Sequence, residues 1–100
     1  MNKSKNNKCI FLDEKVLTSK EFLALSSSAK VVYFYMKIYA KNENEFEYPI
    51  SLALNFMSNV TFISARNELV KNGFIEIVHN GSANRTKNIY KFVPNWENNI

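Results

Sequence analysis

A helix-sized segment that leads directly into a polar hairpin constrains the fold of this chain most strongly. Residues 59–72 read NVTFISARNELVKN, with apolar residues at helical spacing, and Gly73 follows as a stop signal. Two apolar runs, 74–78 and 89–93, flank a loop rich in asparagine and cationic residues. Such a pattern is typical of two antiparallel strands joined in a hairpin. We therefore predict a helix followed by a two-stranded ribbon whose tip is polar and cationic.

Upstream of this helix, the sequence predicts further helices and one short strand. Residues that can cap a helix precede two apolar stretches, and an alternation of charged and aromatic residues ends at Pro49. We expect a short helix from a capping box at 18–21, a long helix from 26–28 to about Lys41, an edge strand at 45–48 and a helix over 50–55. Ser58 or Asn59 can cap the helix that follows, so helix, short turn and helix have the spacing of a helix-turn-helix.

The length and composition indicate one small α+β domain. A chain of 100 residues with 46% hydrophobic content suits a single core. The predicted organisation is a flexible basic arm at 1–7, a domain at 8–96 and a tail at 97–100. The domain is expected to hold about four helices and a small antiparallel sheet that includes the two-stranded ribbon.

The charge distribution favours an anionic partner. The formal net charge is +4 and the isoelectric point is near 9.2. Lys3, Lys5 and Lys8 make the N-terminal arm cationic. Glutamates at alternate positions of 43–47 form an acidic run, which would repel phosphate if it faced DNA.

Enzyme chemistry has little support in the sequence. His79 is the only histidine and Cys9 the only cysteine, so the common zinc-ligand spacings cannot form. With two glycines in the chain, neither a phosphate-binding loop nor a dinucleotide fingerprint can be built. We expect no catalytic residue, no metal site and no cofactor. The lone cysteine, and the lack of an apolar stretch near the roughly 20 residues of a membrane span, predict a cytoplasmic protein without membrane contact.

The longest predicted helix has more apolar surface than one small domain can cover. Its sequence, AKVVYFYMKIYAK, is apolar around most of its circumference. The excess predicts burial against a second copy of the chain. Tyr35, Met36 and Tyr39 are the candidate homodimer residues, because they share one face and tyrosine hydroxyls tolerate water.

Two polar surfaces are candidates for contact with double-stranded DNA. On the helix at 59–72, the candidates are Thr61, Ser64, Asn67 and Lys71. In the hairpin loop, which we call the wing, they are Asn80, Ser82, Asn84, Arg85, Thr86 and Lys87. Arginine favours narrow A·T-rich minor grooves, so we assign the larger share of affinity to the wing and expect AT-rich target sites. The alternative interpretations are an ordinary surface helix and a solvated loop.

These segments together resemble the winged helix-turn-helix proteins of plasmids and phages. The resemblance covers roughly residues 15–96, and it is carried by LSSSAKVVYFYMKIYAK, by YPISLALNFMSNVTFISARNELVKNGFIEIVHNG and by the junction ELVKNGFIEI. Such proteins include replication-initiator domains and TcpK-like conjugation accessory proteins, and the lone domain with an asparagine-rich wing is most similar to the latter. The helix at 59–72 has fewer cations than the recognition helices of many winged-helix regulators.

The resemblance implies a homodimeric, sequence-specific DNA-binding protein that marks short repeated sites at a plasmid origin of transfer. It implies relaxase or other mobile-element proteins as further partners, and it assigns DNA contact to the wing. Two alternatives stay open. One is a transcriptional repressor or replication-initiator domain that inserts the helix at 59–72 into a major groove. The other is a protein-interaction domain that does not bind DNA.

Overall fold

The computed structural model describes residues 10–79 and 88–98, in which helices pack against a three-stranded antiparallel sheet. The elements in chain order are α1 (Glu14–Leu17), α2 (Lys20–Leu23), α3 (Ser27–Ala40), β1 (Glu45–Glu47), α4 (Ile50–Ala53), α5 (Asn59–Lys71), β2 (Ile75–His79), β3 (Ile89–Phe92) and one turn of 3-10 helix (Asn95–Asn98). The predicted α+β class is confirmed. The predictions for the arm at 1–7 and for the wing residues fall outside the described residues.

Serine side chains set the start of α2, α3 and α5. The hydroxyl oxygens of Ser19, Ser26 and Ser58 each accept a hydrogen bond, at 3.1 Å, from the backbone N–H three residues ahead. Each bond satisfies a donor that the first turn of a helix leaves without a partner. Caps were predicted within 26–28 and at Ser58 or Asn59, and the structure confirms both.

The predicted start of the first short helix at Thr18 is wrong by one residue. A helical turn that the sequence pattern did not indicate, α1, precedes it, and the Thr18 hydroxyl donates to the carbonyl oxygen of Glu14 at 2.8 Å. Thr18 therefore closes α1, and Ser19 takes over as the cap of α2. A local capping pattern could not distinguish the two neighbouring hydroxyl residues, because either can cap a helix.

The sheet has the strand order β1–β3–β2, and both pairs are antiparallel. Tyr90 on the central strand lies opposite Phe46 of β1 and Ile77 of β2, and all three side chains belong to the core or pack against it. β2 and β3 agree with the predicted ribbon strands to within one residue. Their register is irregular between Ile77 and His79, just before the chain enters the wing.

Gly73 ends the turn between α5 and β2 in a conformation that other residues rarely adopt. Its φ is +83°, as its role as a predicted helix stop requires. A Cβ atom there would lie 2.7 Å from the backbone nitrogen of Trp96. The Trp96 N–H donates to the Gly73 carbonyl at 3.0 Å, and its ring stacks on Phe74 with centroids 5.8 Å apart. Gly73 thus connects the end of α5 to the 3-10 turn at Asn95–Asn98.

The core lies between α3, α5 and the inner face of the sheet. Phe22 makes edge contacts with Tyr33, Phe34 and Phe74, at centroid distances between 5.3 and 5.8 Å. Such edge-to-face pairs add to the free energy gained by burying the rings. Across residues 10–79 and 88–98, no helix is long and apolar enough to cross a membrane.

Candidate nucleic-acid interface

Helix α5 follows α4 after a short turn, and Ser58 fixes the point at which it begins. Beyond its bond to the Thr61 N–H, the Ser58 hydroxyl donates to the Thr61 hydroxyl oxygen at 2.9 Å. Thr61 is half-buried and belongs to this cap. Of the predicted DNA-contacting residues on α5, it is the one whose hydroxyl already has a structural partner.

The exposed side of α5 is a narrow stripe that is polar apart from one valine. Phe62, Ala65 and Leu69 are buried against α3 and the sheet, which leaves the opposite side of the helix in solvent. The exposed residues at helical spacing on that side, which we call the α5 stripe, are Val60, Ser64, Asn67 and Lys71. The structure therefore brings three of the predicted residues together along one line, and Val60, 77% exposed, lies at its N-terminal end.

The carboxylate of α5 is turned away from this stripe. Glu68 is the acidic residue of the helix, and its oxygens accept hydrogen bonds from the Ser26 N–H at 2.8 Å and the Ser26 hydroxyl at 2.7 Å. These bonds hold the carboxylate at the N-terminus of α3, where the helix dipole favours negative charge. Ser26 and Glu68 are 42 residues apart, and nothing in the sequence pattern indicated this contact.

Arg66 contributes to the stripe in a way that helical periodicity did not reveal. It is half-buried beside the core, but its guanidinium turns towards Asn67. Nε and Nη2 of Arg66 donate to Oδ1 of Asn67 at 3.3 and 3.1 Å. Neighbouring residues of a helix do not share a face, so only the length and flexibility of the arginine side chain make this contact.

The predicted wing residues Asn80, Ser82, Asn84, Arg85, Thr86 and Lys87 lie outside the described residues. The strands that lead into and out of this loop are described: β2 and β3 pair from Ile75 and Phe92 towards the loop. β2 follows α5 after Asn72, Gly73 and Phe74, so a short connection joins α5 to the strand that precedes the loop in the chain.

The outer face of the sheet has the opposite electrostatic character from the α5 stripe. Lys91 on the central strand is flanked by Glu45 on β1 and Glu76 on β2, and Glu47 is exposed on the same edge strand. Carboxylates therefore outnumber the lysine on this surface. A polyanion would be repelled from it.

The side of α3 that faces solvent, together with residues after α4, forms an exposed apolar surface. Tyr35 stacks on Phe56 with ring centroids 4.4 Å apart, and both remain partly exposed. The exposed residues of this surface, which we call the α3 surface, are Val31, Tyr35, Ile38, Tyr39, Leu54 and Phe56. A groove of about 370 Å³ between Tyr39, Leu52 and Asn55 runs through it.

The structure changes the set of candidate dimer residues. Tyr35 is 45% exposed and Tyr39 is 42% exposed, so both can contact another molecule. Met36 has no exposed surface because it packs in the core of its own chain. The prediction that Met36 belongs to the dimer face is therefore wrong. Because α3 is apolar around most of its circumference, its sequence did not indicate which apolar residues face the core.

The perturbed pKa values of the described residues have burial as their main cause. Burial, followed by the charge of Asp13, raises the pKa of Tyr33 to about 12. Burial lowers the pKa of Lys37, whose Nζ lies 4.2 Å from the centre of the Phe92 ring. Burial also raises the pKa of Tyr48. Within the part of the chain that the structure describes, no group of acidic, histidine or cysteine side chains is arranged to hold a metal ion.

Comparison with protein-family models finds no match for this chain, and comparisons with curated proteins and with solved structures find none either.

Proposed function

We propose that this chain is a winged helix-turn-helix protein that binds double-stranded DNA sequence-specifically. Helices α4 and α5 with their connecting turn would form the helix-turn-helix, and β2 and β3 would carry the wing between them. The observation that carries the proposal is the α5 stripe: a solvent-facing polar surface whose helix keeps its carboxylate on Ser26. Such a surface offers hydrogen-bonding groups and a cation to DNA without a repelling charge.

The distribution of charge supports one orientation on the duplex. The glutamates around Lys91 occupy the outer face of the sheet, whereas the α5 stripe ends at Lys71. Phosphates would favour approach from the side of α5 and the wing, with the acidic sheet face directed away. The basic character of the whole chain is consistent with this approach.

The sequence supports a leading role for the wing in affinity. Arg85 and Lys87 bring two cations into a loop of polar residues, and Asn80 and Asn84 can bind acceptors in a minor groove. Arginine insertion is favoured where A·T-rich sequence narrows that groove. In this proposal the wing supplies most of the binding free energy, and α5 adds discrimination between bases.

The biological setting that we propose comes from the resemblance alone. A small, single winged domain with an asparagine-rich wing fits a conjugation accessory protein that marks a plasmid origin of transfer. Repeated short sites at such an origin would suit a homodimer, and the exposed α3 surface around Tyr35 and Tyr39 supports self-association. A transcriptional repressor or a replication-initiator domain would use the same DNA-binding surfaces.

The α3 surface also favours a second candidate, a protein-interaction domain that does not bind DNA. Its aromatic and aliphatic side chains are the kind that form the centres of protein interfaces. Under this alternative, replacing Tyr35 or Tyr39 by a charged residue would abolish partner binding, and no salt-dependent DNA binding would be measured.

The deciding experiment measures the affinity of the purified chain for random AT-rich and GC-rich duplexes between about 50 and 200 mM salt. We expect log K to fall linearly with log salt, with a slope of about −0.9 per phosphate contacted, and to be higher for AT-rich DNA. No binding at low salt would contradict the proposal and favour the protein-interaction domain.

A matched pair of variants tests the assignment to the wing. Arg85→Ala removes one cation from the wing, and Lys91→Ala removes one from the acidic sheet face. We expect Arg85→Ala to weaken binding and make the salt slope shallower by about one. Lys91→Ala should change neither quantity. Equal effects of the two variants would show that only total charge matters.

A further inference from the structure

The side chains of Arg66 and Asn67 form a polar pair at the edge of the α5 stripe. The guanidinium of Arg66 directs two N–H groups, from Nε and Nη2, at one oxygen, Oδ1 of Asn67. The direction of the carboxamide is set by this contact, because a guanidinium has donors only and must face the oxygen rather than the NH₂ group. The NH₂ group of Asn67 therefore points away from Arg66.

This contact engages the acceptor of Asn67. The two N–H groups of Arg66 converge on its one carboxamide oxygen, so a base that donates to this oxygen has to compete with the guanidinium. What the pair can still offer to a ligand is a set of donors: the NH₂ group of Asn67 and the N–H groups of Arg66 outside the contact. Asn67 alone would offer both a donor and an acceptor.

That difference matters at the edges of bases in the major groove. Adenine presents an acceptor at N7 beside a donor at N6, and an asparagine reads it by using both ends of its carboxamide. Guanine presents two adjacent acceptors, N7 and O6. A pair that offers donors only matches guanine and leaves the N6 donor of adenine without a partner.

We infer that Arg66 and Asn67 together select guanine, and reject adenine, at the base pair that faces the middle of the α5 stripe. The inference rests on the proposed DNA-binding function and extends it to a specificity-determining pair. Arg66 acts as a positioning residue in this pair, because it fixes which end of Asn67 meets the base. Preference for guanine at one position is compatible with AT-rich sequence under the wing, since we assign the pair to a major-groove edge and the wing to a minor groove.

The first test uses the unaltered protein. Its preferred site is selected from random duplexes, and each guanine of the site is then replaced in turn by 7-deazaguanine, by inosine or by adenine. At one guanine we expect 7-deazaguanine and adenine each to weaken binding, on the order of tenfold for a lost bidentate contact. Inosine keeps N7 and O6 and changes only the minor groove, so binding should be retained.

The second test releases the oxygen of Asn67. Arg66→Met keeps the apolar stem of the side chain and removes the donors, so Asn67 regains the ability to read adenine. We expect the preferred base at that position to change from guanine to adenine. Lys71→Met is the matched control: it removes one cation from the same stripe, and it should weaken binding to all sequences without changing the preferred base.

The outcomes separate this inference from the function it rests on. If the chain binds a preferred site but shows no guanine with this pattern, the pair does not select guanine and the DNA-binding function stands. If Arg66→Met binds with guanine still preferred, the inference is wrong. If the unaltered chain binds no duplex, the proposed function fails first. The absence of such a guanine from the 7-deazaguanine series would overturn the inference even where Arg66→Met does not fold.

Discussion

The two long helices of this protein pack against each other but present very different surfaces to solvent. Helix α3 exposes aromatic and aliphatic side chains, among them Tyr35, Ile38 and Tyr39. Helix α5 exposes a polar stripe that ends in Lys71. Their buried sides are alike, since each contributes small and large apolar residues to one core. Packing in the core explains why the buried faces of both helices are apolar. It does not explain why the exposed face of one helix is apolar and that of the other is mainly polar.

We propose that the two surfaces bind different kinds of partner. A polar, carboxylate-free stripe suits contact with DNA, where hydrogen bonds and cations provide register and discrimination. An exposed apolar surface suits contact with protein, where aromatic side chains dominate the binding free energy. Variants that change one of the two helices at a time test this contrast.

The largest expected effect comes from Gly73→Ala. The change forces a Cβ into a residue with φ of +83° and to within 2.7 Å of the Trp96 nitrogen, so both backbone strain and a clash result. We expect a loss of about 3 kcal/mol in the free energy of unfolding, and a melting temperature lower by more than about 10 °C. Urea titration and thermal melts measure both. Asn67→Ala, at an exposed position of α5, is the control and should stay within about 0.5 kcal/mol.

DNA binding by Gly73→Ala should also be measured at a temperature where this variant remains folded, and loss of binding there would be informative. It would mean that the orientation of the α5 stripe, rather than its composition alone, is needed for binding. Unchanged stability would contradict the role given to Gly73 in joining α5 to β2 and Trp96.

The inner face of α3 can be tested through the ionisation of Tyr33. Burial and the nearby charge of Asp13 raise its pKa from 10.0 to about 12 in the folded chain. A raised pKa means that the folded state keeps the proton longer. This contribution to stability is therefore fully present below pH 10 and is lost as the pH rises from 10 to 12. The difference corresponds to about 2–3 kcal/mol by the upper end of that range.

Urea titrations of the natural chain and of Tyr33→Phe across that pH range isolate the effect. Other groups ionise in both proteins, so only the difference between the two free energies of unfolding is used. We expect the natural chain to lose stability faster than Tyr33→Phe above pH 10. Parallel curves would show that the Tyr33 hydroxyl is not desolvated in the folded state.

The outer face of α3 is tested by Tyr35→Glu. A carboxylate in the centre of the α3 surface would have to be buried in any interface formed there, so self-association should weaken by about 2 kcal/mol or more, roughly thirtyfold in the dissociation constant. Sedimentation equilibrium measures this. Leu23→Glu places the same charge at another exposed apolar residue, on α2, and should leave self-association unchanged.

Dissociation by Tyr35→Glu alone would identify the α3 surface as the contact between copies. If the natural chain is monomeric at all concentrations, the α3 surface does not join two copies, and the homodimer proposal fails.

The fold could be predicted from the sequence where its determinants are local. Ser58 and Gly73 mark the ends of α5 by side-chain chemistry and backbone conformation that act within a few residues, and both predictions are confirmed. Apolar spacing likewise indicated α3 and the strands β2 and β3. The exact cap of α2 was missed because Thr18 and Ser19 have equivalent hydroxyls, and α1 because four residues carry too little periodicity.

The candidate site could be predicted from the sequence less completely than the fold, because its main contacts depend on tertiary packing or on side-chain conformation. Periodicity placed Ser64, Asn67 and Lys71 on one exposed side, as the structure does. It could not place the Glu68 carboxylate on Ser26, since that contact requires α3 and α5 to be packed. Nor could it show that Met36 faces inward, because every side of α3 carries apolar residues. Roles in DNA binding stay predictions for the α5 stripe and for the wing alike.

The smallest expected effect concerns the contact that connects the two helices. Glu68 of α5 accepts two hydrogen bonds from Ser26 at the start of α3, and both residues are near solvent. We expect Glu68→Gln to cost about 1 kcal/mol in the free energy of unfolding, because one acceptor and the favourable charge at the helix N-terminus are lost. A double-mutant cycle with Ser26→Ala, followed by urea denaturation, measures the coupling directly. A coupling of about 0.5 kcal/mol or more would show that the carboxylate is held on α3 in solution, which is what keeps negative charge off the α5 stripe. Ser26→Ala keeps the backbone N–H, so the cycle tests the bond from the hydroxyl. Additive effects would mean that this bond does not hold Glu68 on α3, and the electrostatic contrast between the two helices would then be weaker than their packed arrangement implies.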